Sequence, residues 1–219
     1  MAMIDRLRRA IAGRPRLWWL RWGTVACLLS LLILDLAFPP PLPKSRDTSV
    51  LVVARDGTPL RAFADAEGVW RYPTTSTQVS PLYLQVLLNY EDRWFWRHPG
   101  INPIALLRAG GQWLRSGRIV SGGSTLTMQV ARILDGPGGT RSLWRKLRQM
   151  LRALQLEAHL SKREILDLYL ERAPFGGTIE GVEAASWAYL GKPASKLSHA
   201  EAALLVVLPQ APSRWRPDR

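Results

Sequence analysis

Residues 89–100 read NYEDRWFWRHPG, a stretch that brings charges and aromatic rings together. Two carboxylates, Glu91 and Asp92, stand side by side and are followed at once by three aromatic side chains and then by His98. A solvated surface helix does not need the rings, and a plain hydrophobic core does not favour the charges. The segment is therefore a candidate for a specific site.

The helix that precedes this segment is predicted to end at its first carboxylate. From Pro81 onward apolar residues recur at helical spacing, which brings Glu91 to the C-terminal end of that helix. There the helix dipole opposes a negative charge and nearby rings remove water from it, so the carboxyl group is suited to proton transfer. The alternative is structural, with Glu91 and Asp92 as ion-pair partners of Arg93 or Arg97.

A second segment, SGGSTLTMQVAR at residues 121–132, combines two glycines with polar side chains. The glycines free the backbone, and Ser124 or Thr125 then caps a helix. On that helix Thr125, Gln129 and Arg132 fall at i, i+4 and i+7 and share one face. A helix N-terminus preceded by glycines can bind an anion, phosphate in particular; the alternative is an ordinary capped helix. The segment is not a Walker loop, because the Gly-Lys-Ser/Thr ending is missing.

A third segment, residues 141–157, carries two stripes at helical spacing. Its leucines predict a buried stripe made of Leu143, Leu147, Leu151 and Leu154. Its arginines form a second stripe made of Arg141, Arg145, Arg148 and Arg152, flanked by Lys146 and Gln149. Like charges on one helical face repel one another, and residues 141–156 contain no Glu to separate them. We therefore expect this face to bind an anion; the alternative is a solvated surface helix.

The overall charge agrees with an anionic partner. The chain of 219 residues has a formal net charge of +13, and residues 93–156 contain eleven Lys or Arg against one acid, Asp135. Such a balance predicts a polyanionic ligand or a membrane surface. Apolar residues make up 47% of the chain, enough for a sizeable core. The single cysteine, Cys27, excludes an internal disulfide, and the three histidines are too scattered to suggest a metal cluster.

The N-terminal region predicts a membrane anchor. Residues 17–38 are almost wholly apolar, and a helix needs about 20 such residues to cross roughly 30 Å of hydrocarbon. A basic tail at residues 1–16 precedes the span, so the positive-inside preference keeps the N-terminus cytoplasmic and exports everything after Phe38. The alternative is a cleavable signal peptide, but prolines follow the span where a small-residue cleavage site would be expected.

The rest of the chain is predicted to be mainly α-helical. Residues 39–67 form a proline spacer and a short β-hairpin, in which residues 50–63 alternate around Asp56-Gly57. After the helix that begins at Pro81, further helices are predicted at 103–115, 125–134, 142–160, 162–171, 179–189 and 198–208. One domain is thus expected at residues 68–213, followed by a C-terminal tail at 214–219.

Together the three segments resemble the peptidoglycan glycosyltransferase family 51, found in bifunctional penicillin-binding proteins and in monofunctional transglycosylases. The resemblance runs from about Gly68 to Pro212, nearly the whole exported body. The first family motif, Glu-Asp-x-x-Phe-x-x-His-x-Gly, matches residues 91–100 without a gap. The second motif, Gly-Gly-Ser-Thr-x-Thr-x-Gln, matches residues 122–129.

The later motifs agree less closely. The third motif, Arg-Lys-x-x-Glu, falls on residues 145–149, where Gln149 stands in place of the family's second glutamate. A Lys-x-x-Ile-Leu-x-x-Tyr-Leu-Asn signature falls on residues 162–171, where Glu171 stands in place of asparagine. The SGGSTLTMQVAR segment and RAPFGG, residues 172–177, look most like the penicillin-binding protein 1C branch.

The resemblance implies a lysozyme-like helical fold and the polymerisation of lipid II into glycan strands. The 4-hydroxyl of an acceptor sugar attacks the anomeric carbon of a lipid-linked donor, with inversion, and undecaprenyl pyrophosphate leaves. Because this leaving group is already ionised, it needs cations more than it needs an acid. Glu91 is then the general base, kept partly dry by the rings and held in place with His98. Asp92 would orient neighbours or pair with an arginine, and Gln149 would position the reactants by hydrogen bonding.

The resemblance also implies a set of site residues and partners. The catalytic residues are Glu91 and Gln149. The substrate-binding residues are Asp92, Phe95, His98, Ser124, Thr125, Gln129, Arg132, Arg145, Lys146 and Arg148. Basic side chains stabilise the pyrophosphate, with or without a divalent cation such as Mg²⁺ or Mn²⁺. Expected partners are lipid II, the growing glycan strand, inner-membrane lipids and other cell-wall synthesis proteins; nucleic acid is excluded by the extracytoplasmic location.

Two other functions share some of these features. A lysozyme-like peptidoglycan hydrolase would use Glu91 as an acid, but it gains nothing from a pyrophosphate-sized arginine stripe. A membrane-tethered scaffold with weakened catalysis would bind lipid II without turnover, as the changes at Gln149 and Glu171 suggest. The transpeptidase motifs Ser-x-x-Lys and Lys-Thr-Gly do not occur in these 219 residues, so no cross-linking or β-lactam binding is expected from them. The sequence leaves open whether the chain is truncated or monofunctional.

Overall fold

The N-terminal helix and the remaining chain form two separate compact units in the computed structural model. The boundary lies between residues 40 and 41. The structure describes residues 15–43, 49–55, 57–117, 123–136 and 142–217.

Helix α1 (Pro15–Ala37) is the apolar helix predicted near the N-terminus. Its segment Trp18–Ala37 has 20 residues and is apolar enough to cross a membrane, which matches the length that a bilayer requires. The Trp18 ring meets two neighbouring tryptophan rings edge to face, each at 5.8 Å between centroids, and such a cluster suits a membrane interface. Residues 1–14 of the basic tail lie outside the described part of the chain, so the orientation of this helix stays a prediction.

The second unit begins with the predicted hairpin. Strand β1 (Val50–Val53) pairs antiparallel with β2 (Pro59–Phe63), and Gly57 between them has φ +84°, a conformation that glycine adopts without strain. A second, three-stranded sheet has the order β3-β5-β4, with β5 parallel to β3 and antiparallel to β4. Its strands are β3 (Trp70–Arg71), β4 (Pro174–Gly176) and β5 (Ile179–Glu180).

Helices make up most of this unit, so the predicted mainly α fold is confirmed. They are α2 (Pro81–Glu91), α3 (Pro103–Ser116), α4 (Leu126–Leu134), α5 (Leu143–His159), α6 (Lys162–Arg172), α7 (Val182–Leu190), α8 (His199–Val207) and α9 (Pro212–Trp215). Short 3-10 turns lie at Phe95–Arg97, Ala194–Lys196 and Leu208–Gln210. The predicted and the observed helix bounds differ by no more than one residue, except at the start of α7. This helix begins at Val182 and not at 179, because Ile179 and Glu180 pair in the second sheet.

The core is built around α4 and α6. Helix α4 packs against α5 and α6, and α2 packs against α8. The large side chains that are fully buried come from all of these helices and include Tyr83, Leu87, Leu126, Leu156, Ile165, Tyr169 and Leu205. Burying a side chain of this size stabilises the fold by about 1.5–3 kcal/mol. This packing brings the end of α2, the start of α4 and the turn after α8 close together.

Most of the leucine stripe of α5 is exposed, contrary to the prediction. Leu143 is 88% exposed, Leu147 44% and Leu151 37%, and Leu154 is half-buried, whereas the buried residues of this helix are Ala153 and Leu156. Spacing shows that a helix has an apolar face, but it does not show which element covers that face. Here α4 packs on a neighbouring face, and the leucines remain open to the surroundings.

Candidate active site

Glu91 ends helix α2, as predicted, and its carboxylate is held from two sides. The Gln129 side-chain amide of α4 donates to Oε2 at 2.7 Å. The Gln210 side-chain amide, from the turn after α8, donates to Oε1 at 3.0 Å. Each carboxylate oxygen thus accepts one amide hydrogen bond, and each keeps a lone pair for another donor.

Two buried tyrosines lie in the core near this carboxylate. Burial raises the pKa of Tyr83, and the negative charge of Glu91 adds to the effect. Burial also raises the pKa of Tyr169, with further contributions from Tyr83 and Glu91. Both phenols therefore stay neutral and add no charge near Glu91.

Asp92 points away from the ligand face and forms a buried pair with His98. The His98 Nε2 atom lies 3.0 Å from both carboxylate oxygens, and both side chains are almost fully buried. Asp92 Oδ2 also accepts from the backbone N–H of Leu126, the first residue of α4, at 2.8 Å. The expected orienting role is therefore directed at a histidine and a helix end, and the partner is not an arginine. His98, which was expected to hold Glu91, holds Asp92.

Of the three aromatic rings after the acidic pair, only Phe95 anchors this segment to the core, since Trp94 and Trp96 are half exposed. The Phe95 ring is fully buried, with the Lys162 ammonium 4.5 Å from its centroid, so it cannot reach a ligand in this conformation. Trp94 is half exposed, and the Arg97 guanidinium lies over its ring at 4.8 Å. Arg97 therefore pairs with a ring and is not the ion-pair partner that the structural alternative required.

Thr125 caps helix α4, and this settles which of the two candidate residues does so. Its hydroxyl accepts from the backbone N–H of Met128 at 3.2 Å and donates to the Gly100 carbonyl, inside the protein. Ser124 is exposed, and its hydroxyl accepts from the Lys146 ammonium. Of the predicted polar face of α4, the side chains of Gln129 and Arg132 are the ones that remain accessible.

Two cations, one from α4 and one from α5, interact electrostatically. Burial lowers the pKa of Lys146, and the positive charge of Arg132 lowers it further. Lys146 and Gln149 lie at i and i+3 of α5 and are partly buried, and Ala153 is fully buried. Arg145 lies beside them and is partly buried.

The arginine stripe of α5 lies close to an acid of a neighbouring segment. Asp135, which follows α4, lies 3.2 Å from Nε of Arg148 and 3.6 Å from Nε of Arg152. The one acid of the basic stretch is therefore placed where two stripe arginines meet it. Arg141 lies outside the described residues. Asp135 partly compensates the charges of Arg148 and Arg152, and anion binding by this face stays a prediction.

A resident metal ion does not fit the side chains of this site. Among the described residues, no group of three His, Cys, Asp or Glu side chains lies close enough to hold an ion. Glu91 is surrounded by amides, and Asp92 is already paired. A divalent cation carried by a diphosphate stays a prediction, and no step below depends on it.

Sequence reasoning missed Gln210 and the role of Asp135. Gln210 follows the apolar run of α8 in LPQAP, and a lone amide there was a signal that could have been noticed. Asp135 was noticed only as the single acid of the basic stretch. Neither contact could be placed from the sequence, because each joins elements that are distant along the chain.

A family model described as Transglycosylase matches residues 56–219, which include all of the side chains above. The chain belongs to the transglycosylase family. The family predicted from the three motifs is thus confirmed, and with it the enzyme class, a glycosyltransferase of peptidoglycan synthesis.

The relatives of this transglycosylase chain include much longer proteins. It is 60% identical to penicillin-binding protein 1C of Escherichia coli over 212 residues, which cover 94% of this chain and 27% of the relative. It is 38% identical to penicillin-binding protein 1A of Pseudomonas aeruginosa over 212 residues, 92% of this chain and 25% of the relative. A biosynthetic peptidoglycan transglycosylase of Nitrosospira multiformis is 35% identical over 142 residues, 65% of this chain and 61% of the relative. The chain thus spans about a quarter of the two penicillin-binding proteins.

Proposed function

We propose that this chain polymerises lipid II into glycan strands by inverting glycosyl transfer, with release of undecaprenyl pyrophosphate. The observation that carries the proposal is the arrangement along α4. The Gln129 amide donates to the carboxylate of Glu91, and Arg132 follows Gln129 by three residues, so both side chains lie on one face of α4. The Lys146 ammonium donates to Ser124, just before that helix, and the positive charge of Arg132 lowers its pKa. A base and two cations thus accompany α4, as a sugar acceptor and a departing diphosphate require.

Glu91 acts as the general base in this proposal. Its carboxylate takes the proton of the acceptor 4-hydroxyl while that oxygen attacks the anomeric carbon of the donor. The bond from this carbon to the diphosphate oxygen breaks, and the electron pair leaves with the diphosphate. General base catalysis by a positioned carboxylate contributes about 10²–10⁴-fold to the rate.

Cations receive the charge of the leaving group. Arg132 and Lys146 are the first candidates, because Arg132 shares a face of α4 with Gln129 and Lys146 bonds Ser124 just before that helix. Arg145 is a further candidate on the same side of α5. Arg148 would contribute less than expected, because Asp135 already neutralises part of its charge. Fixed cations of this kind stabilise charge that develops in the transition state without having to reorganise.

Several other residues that were predicted to bind substrate instead fix the backbone around the site through buried contacts. Asp92 and His98 fix the start of α4, and Thr125 ties its cap to Gly100. Phe95 secures the segment that follows Glu91. Gln149 has no charge to stabilise a diphosphate, so we assign it a positioning hydrogen bond to the substrate.

The exposed apolar residues give a lipid-linked substrate a route to the site. Leu143 and Trp144 at the start of α5 are 88% and 74% exposed, and Ile104 and Leu107 of α3 are 79% and 77% exposed. Large exposed apolar patches mark membrane or partner contacts, and a polyprenyl chain is itself apolar. Helix α1 would anchor the chain in the cytoplasmic membrane with the N-terminus inside and the catalytic domain outside.

The decisive experiment replaces the base. Purified full-length chain in detergent is given lipid II, and the glycan strands formed are measured. Glu91→Gln is expected to eliminate polymerisation, whereas Gln149→Ala only reduces it, because the amide positions and does not take the proton. Strand synthesis by Glu91→Gln at nearly the parental rate would show that Glu91 is not the base. Release of reducing ends from preformed peptidoglycan, without use of lipid II, would instead identify a hydrolase.

A further inference from the structure

Gln210 lies outside every segment to which the sequence assigned chemistry, yet it contacts the proposed base directly. Its amide nitrogen donates to Glu91 Oε1 at 3.0 Å. The turn that carries it, Leu208–Gln210, follows α8 and is fixed by Leu208, which is fully buried. Because α8 packs against α2, the helix that ends in Glu91, this contact is built into the core.

The orientation of this amide is also fixed. The Tyr90 hydroxyl donates to Gln210 Oε1 at 3.4 Å, so the amide oxygen faces Tyr90 and the nitrogen faces Glu91. A flipped amide would place its oxygen against the carboxylate and lose the bond to Glu91, whereas the Tyr90 hydroxyl could accept from the amide nitrogen. The Glu91 carboxylate, which only accepts, therefore selects the amide orientation.

The two amides on Glu91 are not equivalent. Gln129 approaches Oε2 from the partly buried side, and Gln210 approaches Oε1 from the exposed side. With only the Gln129 bond, the carboxylate would be held at Oε2 alone, and rotation about the Cγ–Cδ bond could still move Oε1. The outer bond removes this freedom at the oxygen that faces an incoming ligand.

We propose that Gln210 is a positioning residue for the general base, holding Glu91 Oε1 so that its free lone pair meets the acceptor hydroxyl. This inference rests on the proposed function. The turn after α8 thereby assists Glu91, a residue of the first motif.

The test compares Gln210→Ala, Gln210→Asn and Gln210→Glu with the parent chain in lipid II polymerisation in detergent. Gln210→Ala is expected to lower kcat about tenfold with little change in KM, as expected for a lost hydrogen bond to a charged group. Gln210→Asn should recover part of the loss. Gln210→Glu should be the slowest, since two carboxylates then repel each other.

Asn89→Ala is the matched control. Asn89 is an exposed amide on the same helix, two residues before Glu91, and donates to the Gln85 carbonyl. Its removal should leave kcat and KM unchanged. Gln210→Ala with parental kcat and KM would overturn the proposal, as would a rise in KM alone, which would make Gln210 a substrate contact. If Glu91→Gln remains active the proposed function fails first, so the two failures can be told apart.

Discussion

Lys146 shows how the site changes the chemistry of a single residue. Burial and the positive charge of Arg132 lower its pKa, so its charged form is less favoured than that of an exposed lysine. A diphosphate favours the charged form, and its affinity should therefore fall as pH rises, starting below the range in which an ordinary lysine loses its proton. The ligand-free fold responds with the opposite sign. The unfolded chain binds more protons than the folded one between the two pKa values, so this group adds stability as pH rises through that interval.

The affinity half of this prediction can be measured with inorganic pyrophosphate. Calorimetric titration of the parent chain from neutral to alkaline pH should show the decline, whereas Lys146→Arg should bind with nearly constant affinity, because guanidinium stays protonated throughout. The Arg variant keeps a positive charge at this position at every pH, so it shows how the affinity behaves when this charge is not lost. An equal decline in both proteins would mean that Lys146 does not face the anion.

At the scale of elements, Gly100 decides how closely the first motif can approach α5. Its φ is +82°, and a Cβ at this position would lie 2.7 Å from the backbone oxygen of Ala153. Backbone cannot move aside as a flexible side chain can, so both the conformation and the contact oppose any other residue. Gly100→Ala should therefore destabilise the domain by about 2–4 kcal/mol. Urea unfolding followed by circular dichroism measures this change.

Gly110 provides the comparison for that experiment. It lies in the middle of α3, and a Cβ there would meet nothing within 4 Å. Gly110→Ala should stabilise the domain by roughly 0.5–1 kcal/mol, because alanine loses less backbone freedom than glycine in a helix. If the two substitutions had similar effects, the approach of this loop to α5 would not be the constraint inferred from the structure.

The elements themselves were largely predictable, and what joins them was not. Periodicity located α2 through α8, and Glu91 fell at a helix end as expected, because these features depend on local sequence. The wrong prediction for Leu143 and its neighbours on α5 arose because periodicity does not identify the covering element. The contacts of Asp135 and Gln210 likewise depend on how α4, α5 and α8 pack, so sequence spacing could not reveal them.

At the scale of the whole molecule, charge and apolar surface are combined in one region of the second unit. Helix α5 carries exposed Leu143 and Trp144 at its start, next to Arg145 and Lys146. A soluble domain would be expected to cover such side chains. An anionic lipid headgroup with its acyl chain fits this combination, and so does a polyprenyl diphosphate. The net charge of +13 indicates only an anionic partner. The exposed apolar side chains beside the cations indicate that this partner also has a lipid chain.

The apolar start of α5 should therefore matter for activity at a bilayer and little for folding. Leu143→Ser combined with Trp144→Ser should change the free energy of unfolding by no more than about 0.5 kcal/mol, because both side chains are mostly exposed. In liposomes the same variant should polymerise lipid II about tenfold more slowly, since inserting one such side chain into an apolar phase contributes about 1.5–3 kcal/mol. Leu60→Ser, at a leucine that is 68% exposed on β2, is the control for loss of an exposed apolar side chain. The measurement is the rate of strand synthesis in liposomes relative to detergent. An equal ratio for the double variant, the control and the parent would show that this end of α5 does not meet the lipid phase.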